Sequence, residues 1–350
     1  MLFGGVSAER DVSCVTAAHV LRAVDPQRYT VEPVGITRDG QWVQAEAAMR
    51  VLADRGPLGL PDTLEPAGPA VELLPTLAPA TVDEQVVVLP LMHGPLGEDG
   101  TVQGLLEMAD VAYVGAGVLS SALCMDKAMA KIVIAAAGIP QVRYLVARDV
   151  DADASFFHRV IDELGLPVFV KPSNLGSSVG ISRVADRAGL ETAVADALSY
   201  DEWVVVEEAV VAREIEIGVL GGAVPRVSVP GEVVPTHEFY DYADKYLDGE
   251  ARLVIPAELP TAVGEEVARL AASAFTLLRC EGMARIDFFY EEQGRGILFN
   301  EVNTIPGFTP QSMFPLLWEA SGIRYGELID ELVRLAVERH AHRSGHGRAH

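Results

Sequence analysis

Short apolar runs alternate with amphipathic stretches at the start of the chain. Residues 1–3 are apolar, 12–24 repeat apolar positions at helical spacing, 29–36 read as a strand, and 85–92 form a near-continuous apolar run. Such a run suits a strand covered on both faces. Strand and helix patterns taking turns predict an α/β unit with an open parallel sheet. The first strand has three residues before Gly4 and Gly5, where a buried strand usually has about five, which predicts a natural start upstream. Residues 54–83 carry Pro57, Pro61, Pro66, Pro69, Pro75 and Pro79 with little periodicity. They are expected to form a variable surface segment and the least ordered internal region.

A second unit begins near Val118, with a helix over 122–137, a strand over 142–147, and strands 167–171 and 203–208 around a helix over 188–199. The third has strands 214–219 and 226–234, a polar loop over 236–250, a helix over 260–278, two apolar aromatic runs and a terminal helix. The expected domains are 1–117, 118–208 and 209–337. Residues 338–350 place His340, His342, His346 and His350 among Arg, Ser and Gly. This composition predicts a disordered tail without function. The sequence has no internal repeat.

A chain of 350 residues with 49% hydrophobic and 22% charged residues is long enough for two or three globular domains. Its formal net charge of −23 argues against nucleic-acid partners and anionic membrane surfaces, which reward clustered Lys and Arg. An anionic substrate would need a local basic pocket. Cys14, Cys124 and Cys280 have no paired metal-ligand spacing, no secretory leader precedes Gly4 and Gly5, and Lys131 interrupts the best candidate for a membrane span, around residues 129–139. A cytoplasmic protein with reduced thiols is therefore expected, without a membrane span.

The chemistry concentrates in ARIDFFYEEQGRGILFNEVNTIPGFTP, which starts at Ala284. Asp287 lies in one aromatic run, Glu301 and Asn303 lie in the next, and the polar, glycine-bearing 291–296 reads as a hairpin turn. A turn centred near Gly294 sets Asp287 opposite Glu301, and period two puts Asn303 on the same face. Two carboxylates and an amide oxygen so placed suit Mg²⁺ with bridging phosphates; a solvated hairpin face is the plainer alternative.

Further sites follow from other loops. KPSNLGSSVG, starting at Lys171, brings a cation, two glycines and the hydroxyls of Ser173, Ser177 and Ser178 to a strand end. It can wrap phosphate or serve as a flexible turn, and it is not a Walker A loop because no GK[ST] closes it. Lys127, on a helix, could reach a second phosphate. Glu207 and Glu214 flank a short turn where they would accept from a nucleotide's amino or hydroxyl groups, or simply stand in water. Gly4 and Gly5 lack the GxGxxG continuation of a dinucleotide dehydrogenase.

HGPLGEDGTVQGLLE from His93, the loop from Lys171, EFYDYADKY from Glu238, ARIDFF and FNEVNTIPGFTPQS together resemble the D-alanine-D-alanine ligases of the ATP-grasp superfamily, over nearly the full chain. The resemblance implies a three-domain ATP-grasp architecture with ATP between the central and C-terminal domains. Lys127, Lys171, Ser178 and Lys245 would attend the nucleotide with Glu207 and Glu214, and Asp287, Glu301 and Asn303 would hold two Mg²⁺ or Mn²⁺. It implies a homodimer that joins two D-alanines for peptidoglycan precursor synthesis. One D-alanine would be phosphorylated on its carboxylate, and the other's amine would attack the acyl phosphate. Arg285 and the Gly307 N–H would then stabilise the tetrahedral oxyanion. Glu9, linked to Ser177 and Tyr246, would anchor the first ammonium beside His93, while Lys245, Ser312 and the backbone at Met313 would take the second carboxylate. Tyr246 after Lys245 resembles the dipeptide-forming members and favours D-alanine over D-lactate as acceptor; a ligase for D-lactate, D-serine or another acceptor is the alternative. The 236–250 loop is expected to close over nucleotide. Ala243-Asp244 and Leu96 depart from the family's usual residues without removing a chemical group.

Overall fold

In the computed structural model, which describes residues 1–7, 9–77, 84–176, 179–235 and 252–347, the strands form three sheet systems. In the first, β1 (Leu2–Gly4) pairs parallel with β2 (Val34–Ile36), which pairs antiparallel with β3 (Trp42–Gln44). Leu2 also exchanges backbone hydrogen bonds with Leu89 and Leu91, just beyond β4 (Val87–Val88), and β4 runs parallel to β5 (Ala112–Tyr113). The result is the expected open, mainly parallel sheet, and helix Arg10–Ala23 buries Cys14, Ala17, Val20 and Leu21 beneath it.

The second sheet contains β6 (Tyr144–Arg148), β7 (Val168–Pro172), β8 (Ser182–Val184) and β9 (Trp203–Glu208), antiparallel throughout in the order β6-β9-β7-β8. Alternate residues Val168 and Val170, with Val204 and Val206, face Leu190 and Val194 of helix Arg187–Ala197. Asp186 starts that helix by accepting from the Gly189 N–H at 2.8 Å.

The third sheet contains β10 (Arg213–Gly221), β11 (Arg226–Val234), β12 (Arg252–Val254), β13 (Gly282–Glu291) and β14 (Gly296–Asn303), ordered β12-β11-β10-β13-β14. Helix Thr261–Leu277 covers one face with Val267, Leu270, Ala274 and Phe275. The larger of these side chains, Val267, Leu270 and Phe275, each contribute about 1.5–3 kcal/mol by leaving water. Helices Val118–Met125 and Lys127–Ala136, grouped by the sequence with the central strands, place Cys124, Ala130 and Ile134 in this third core instead. The Phe299 N–H fastens the following turn by donating to the Pro140 carbonyl at 2.7 Å.

Two expectations need correction. Helix Tyr325–Gly347 runs through most of the supposed disordered tail. Its polar end is held by side-chain contacts that apolar periodicity does not register: Arg339 donates to the carbonyls of Gly115 and Tyr113, His340 meets Asp110, and Arg343 meets Glu107 and Glu281. The proline-rich stretch is also anchored over much of its length. Leu60 and Leu64 enter the first core, and Gln44 and Val71 form backbone bonds with Pro69 and Trp42. Residues 78–83 of that stretch lie outside the described residues.

Candidate active site

The register of β13 and β14 pairs Asp287 with Glu301 and Arg285 with Asn303, as the turn predicts. A bulge at Asn300 carries the register from Phe288 opposite Phe299 to Asp287 opposite Glu301. On the other side of β13, Glu216 of β10 stands opposite Asp287. Carboxylates therefore line up across three strands. The sequence reading missed Glu216, although the Glu-Ile-Glu-Ile alternation at 214–217 marks it as sharing a face with Glu214.

Arg285 ties this row together. Its Nε and Nη2 donate to the two Asp287 carboxylate oxygens at 2.8 and 2.7 Å, and Nε lies 2.9 Å from Glu216 Oε2. Burial opposes its charge, but Asp287 and then Glu216 hold it firmly protonated. Nη1 has no acceptor among the described residues, so one edge of the guanidinium is open. Asn303 Nδ2 donates to Asp287 Oδ2 at 3.0 Å, leaving its amide oxygen as a donor atom for a cation. Among the described residues no three His, Cys, Asp or Glu side chains form a metal site. Asp287, Glu301 and Asn303 present an all-oxygen set, which fits Mg²⁺ if phosphate and water complete its shell.

The predicted phosphate cations reach this sheet from two directions. Asp126 caps helix Lys127–Ala136 by accepting from the Met129 N–H, and its Oδ1 also accepts from the Ser173 hydroxyl at 2.7 Å. The loop after β7 is thereby tied to the helix start. Lys127 donates to the Leu175 carbonyl, with Nζ 3.7 Å from Glu301 Oε2. Lys171 Nζ lies 2.6 Å from Glu207 Oε2, while Lys131 Nζ approaches the other oxygen, Oε1, at 2.8 Å. Burial opposes ionisation of Glu207, but Lys131 and Lys171 outweigh it and hold its pKa down at about 2. Burial likewise opposes charge on Lys171, yet Glu207, Glu301 and Glu214 keep its pKa above the usual lysine range. Glu207 is thus deeply paired rather than solvated, and Glu214 contributes to the same field. Lys131 was not singled out from sequence as a site residue.

At the other end, Glu9 sits at the start of helix Arg10–Ala23 and is 7% exposed. A methyl group on Gly94 would come within 2.6 Å of Glu9 Oε2, and one on Gly176 within 3.3 Å. These bare backbones let loops from two units close on one carboxylate. His93 is buried, with Nε2 lacking a hydrogen-bond partner among the described residues, and burial lowers its pKa more than nearby Glu9 raises it. Its carbonyl accepts from the Ser7 hydroxyl at 2.8 Å. Glu98 was absent from the predicted set; its carboxyl accepts from the Gly94 N–H at 2.6 Å. Burial first, and Glu9 next, push the Glu98 pKa up to about 8.

Beyond β14, Ser312 precedes helix Met313–Ala320, and its Oγ accepts from the Thr309 N–H of the preceding turn at 3.1 Å. A methyl on Gly307 would lie 3.2 Å from that oxygen, so Gly307 and Ser312 adjoin, and Met313 is buried behind them. Ser177, Ser178, Lys245, Tyr246 and the 236–250 loop lie outside the described residues.

Comparison with known proteins is consistent along the chain. The families described as D-ala D-ala ligase N-terminus and C-terminus match residues 1–116 and 133–334. The D-alanine-D-alanine ligase of Geobacillus thermodenitrificans is 46% identical over 347 residues, covering 97% of this chain and 95% of the relative. That of Paenarthrobacter aurescens is 46% identical over 358 residues, covering 97% and 94%. Among solved structures, the D-alanine-D-alanine ligase from Coxiella burnetii superposes with a TM-score of 0.81 at 32% identity, covering 98% of this chain and 94% of that one. The VanG D-Ala:D-Ser ligase from Enterococcus faecalis also gives 0.81 at 32% identity, covering 96% and 98%.

Proposed function

The chain belongs to the D-alanine-D-alanine ligase family, and on that footing we propose how its residues carry out the reaction. It is an ATP-dependent ligase that joins two D-alanine molecules into D-alanyl-D-alanine for cell-wall synthesis. ATP is assigned to the space between the four-stranded and five-stranded sheets. Lys127, Lys171, Ser178 and Lys245 attend the phosphates, and Glu207 and Glu214 serve the adenosine. The domain division 1–117, 118–208 and 209–337 belongs to this reading, with helices 118–136 packed on the third core. Asp287, Glu301 and Asn303 are assigned to Mg²⁺. When bound, two such ions would neutralise phosphate charge and orient the γ-phosphoryl group.

The remaining chemistry belongs to the chain itself. Glu9 receives the ammonium of the first D-alanine beside neutral His93, which turns that substrate's carboxylate toward the lysines. A carboxylate lacks a leaving group good enough for amide formation, and phosphorylation supplies one. The second D-alanine, its carboxylate held by Lys245, Ser312 and the Met313 backbone, presents its amine to the acyl phosphate. Nη1 of Arg285 and the Gly307 N–H meet the oxyanion that develops, and its collapse breaks the acyl C–O bond and releases inorganic phosphate. The amine's proton passes to the Glu9, Ser177 and Tyr246 set. The carrying observation is the carboxylate row of Glu216, Asp287 and Glu301, bridged by Arg285 and faced by Lys127.

Phosphate release in a coupled assay over D-alanine, D-serine and D-lactate tests this reading. Vigorous release is expected with D-alanine alone, and Asp287→Asn or Glu301→Gln should lower kcat by about 100-fold or more. Full turnover by either variant would sink the metal assignment; release only with D-lactate would sink the choice of acceptor. A cytoplasmic location, expected from the cysteine usage, and a homodimeric state, implied by the family, are checked by cell fractionation and light scattering. Among the described residues no helix is long and apolar enough to cross a membrane.

A further inference from the structure

Lys131 is 1% exposed, lies one turn beyond Lys127 on the same helix face, and has its Nζ 2.8 Å from Glu207 Oε1. Its ammonium also sits 5.4 Å from the centre of the Tyr144 ring. The other Glu207 oxygen belongs to Lys171 at 2.6 Å. One buried carboxylate thus serves two lysines, although Lys171 alone could neutralise it.

This redundancy matters when nucleotide arrives. To donate to a phosphate, Lys171 must weaken its hold on Glu207, and a buried carboxylate without a cation is strongly disfavoured. Strand pairing sets Glu207 between Tyr144 and Phe169 in the middle of its sheet, so it cannot turn to water. We propose that Lys131 is a positioning residue for nucleotide: it keeps Glu207 paired, so that Lys171 is free to move its hydrogen bonds onto the phosphates of ATP. The triad also carries one net positive charge at a site for a polyanion, within a chain of net charge −23. The inference rests on the assignment of Lys171 to those phosphates.

Calorimetric titration of the full-length ligase with MgADP, alongside steady-state kinetics, tests it with Lys131→Met, Glu207→Gln, the double variant and Lys171→Met. Lys131→Met should raise the MgADP Kd and the KM for ATP about tenfold, with kcat at saturating ATP within about threefold and the KM for D-alanine unchanged. The double variant should lose less MgADP affinity than the two single losses multiplied, since leaving a neutral amide strands no charge. Unchanged MgADP affinity in Lys131→Met, or losses that multiply in the double variant, would overturn the proposal. If Lys171→Met also leaves affinity unchanged, the nucleotide assignment itself fails; if Lys171→Met weakens binding and Lys131→Met does not, the inference alone fails. Thermal melts establish that each variant folds, and Lys131→Gln replaces Lys131→Met if the latter does not.

Discussion

At the scale of single residues, the proposed substrate end of the site depends on what is absent at Gly94. Its φ of +73° suits glycine, and an added methyl would meet Glu9 Oε2 at 2.6 Å. Gly94→Ala is expected to displace Glu9, raising the KM for the first D-alanine at least about tenfold and costing about 1–2 kcal/mol of stability. Initial rates and urea melts read the two effects; an unchanged KM would show that Glu9 does not hold that substrate. Glu98 gives a pH signature. Its pKa rises from 4.5 to about 8 because burial, and then Glu9, disfavour its charge, with Glu301 adding and Lys127 opposing. A carboxyl whose folded pKa is raised contributes full stability below its unfolded pKa and loses it as pH climbs from about 4.5 through 8. Glu98→Gln mimics the protonated form, so its Tm should exceed the parent's at pH 8.5 and match it near pH 4.5. A constant difference across that range would place the effect elsewhere.

At the scale of elements, what the sequence disclosed follows from range and periodicity. The β13–β14 hairpin was readable because alternation and a glycine-bearing turn determine register locally, and Asp287 does face Glu301. Glu216 was harder to find because its place opposite Asp287 depends on β10, about 70 residues away in sequence, pairing with β13. The end of helix Tyr325–Gly347 was misread because hydrophobic periodicity is blind to a helix held by guanidinium contacts. Arg339 donates to two carbonyls and lies 4.1 Å from the Tyr113 ring centre. Arg339→Ala leaves both carbonyls without that donor and should cost about 2–3 kcal/mol. Truncation after Glu338 should lower the Tm by at least as much as that single change, whereas a disordered tail would be removed without effect. Differential scanning calorimetry of the two variants decides between these outcomes.

For the whole molecule, the site exists only where the three sheet systems meet. Glu9 comes from the first, Lys171 and Glu207 from the second, and Arg285, Asp287 and Glu301 from the third, so no stretch of sequence contains the assembled chemistry. Local motifs name single residues; the pairing of Glu207 with Lys131, and the approach of Glu98 to Glu9, needed the folded contacts. The same geometry makes ligand binding a global stabiliser. Glu216, Asp287 and Glu301 crowd one face with Arg285 and Lys127 as counter-charges, in a protein of net charge −23. ADP brings further negative charge and should bind well only with Mg²⁺. At about 100 times its Kd, MgADP should add about 2.7 kcal/mol, a rise of roughly 3–5 °C in Tm if the protein melts as one unit. Chelating the metal with EDTA should remove most of that rise, and Glu301→Gln should shrink the part that depends on Mg²⁺ while folding normally without ligand. Equal shifts with and without Mg²⁺ in the parent would mean that nucleotide binds through its lysines alone and that the carboxylate row serves another end.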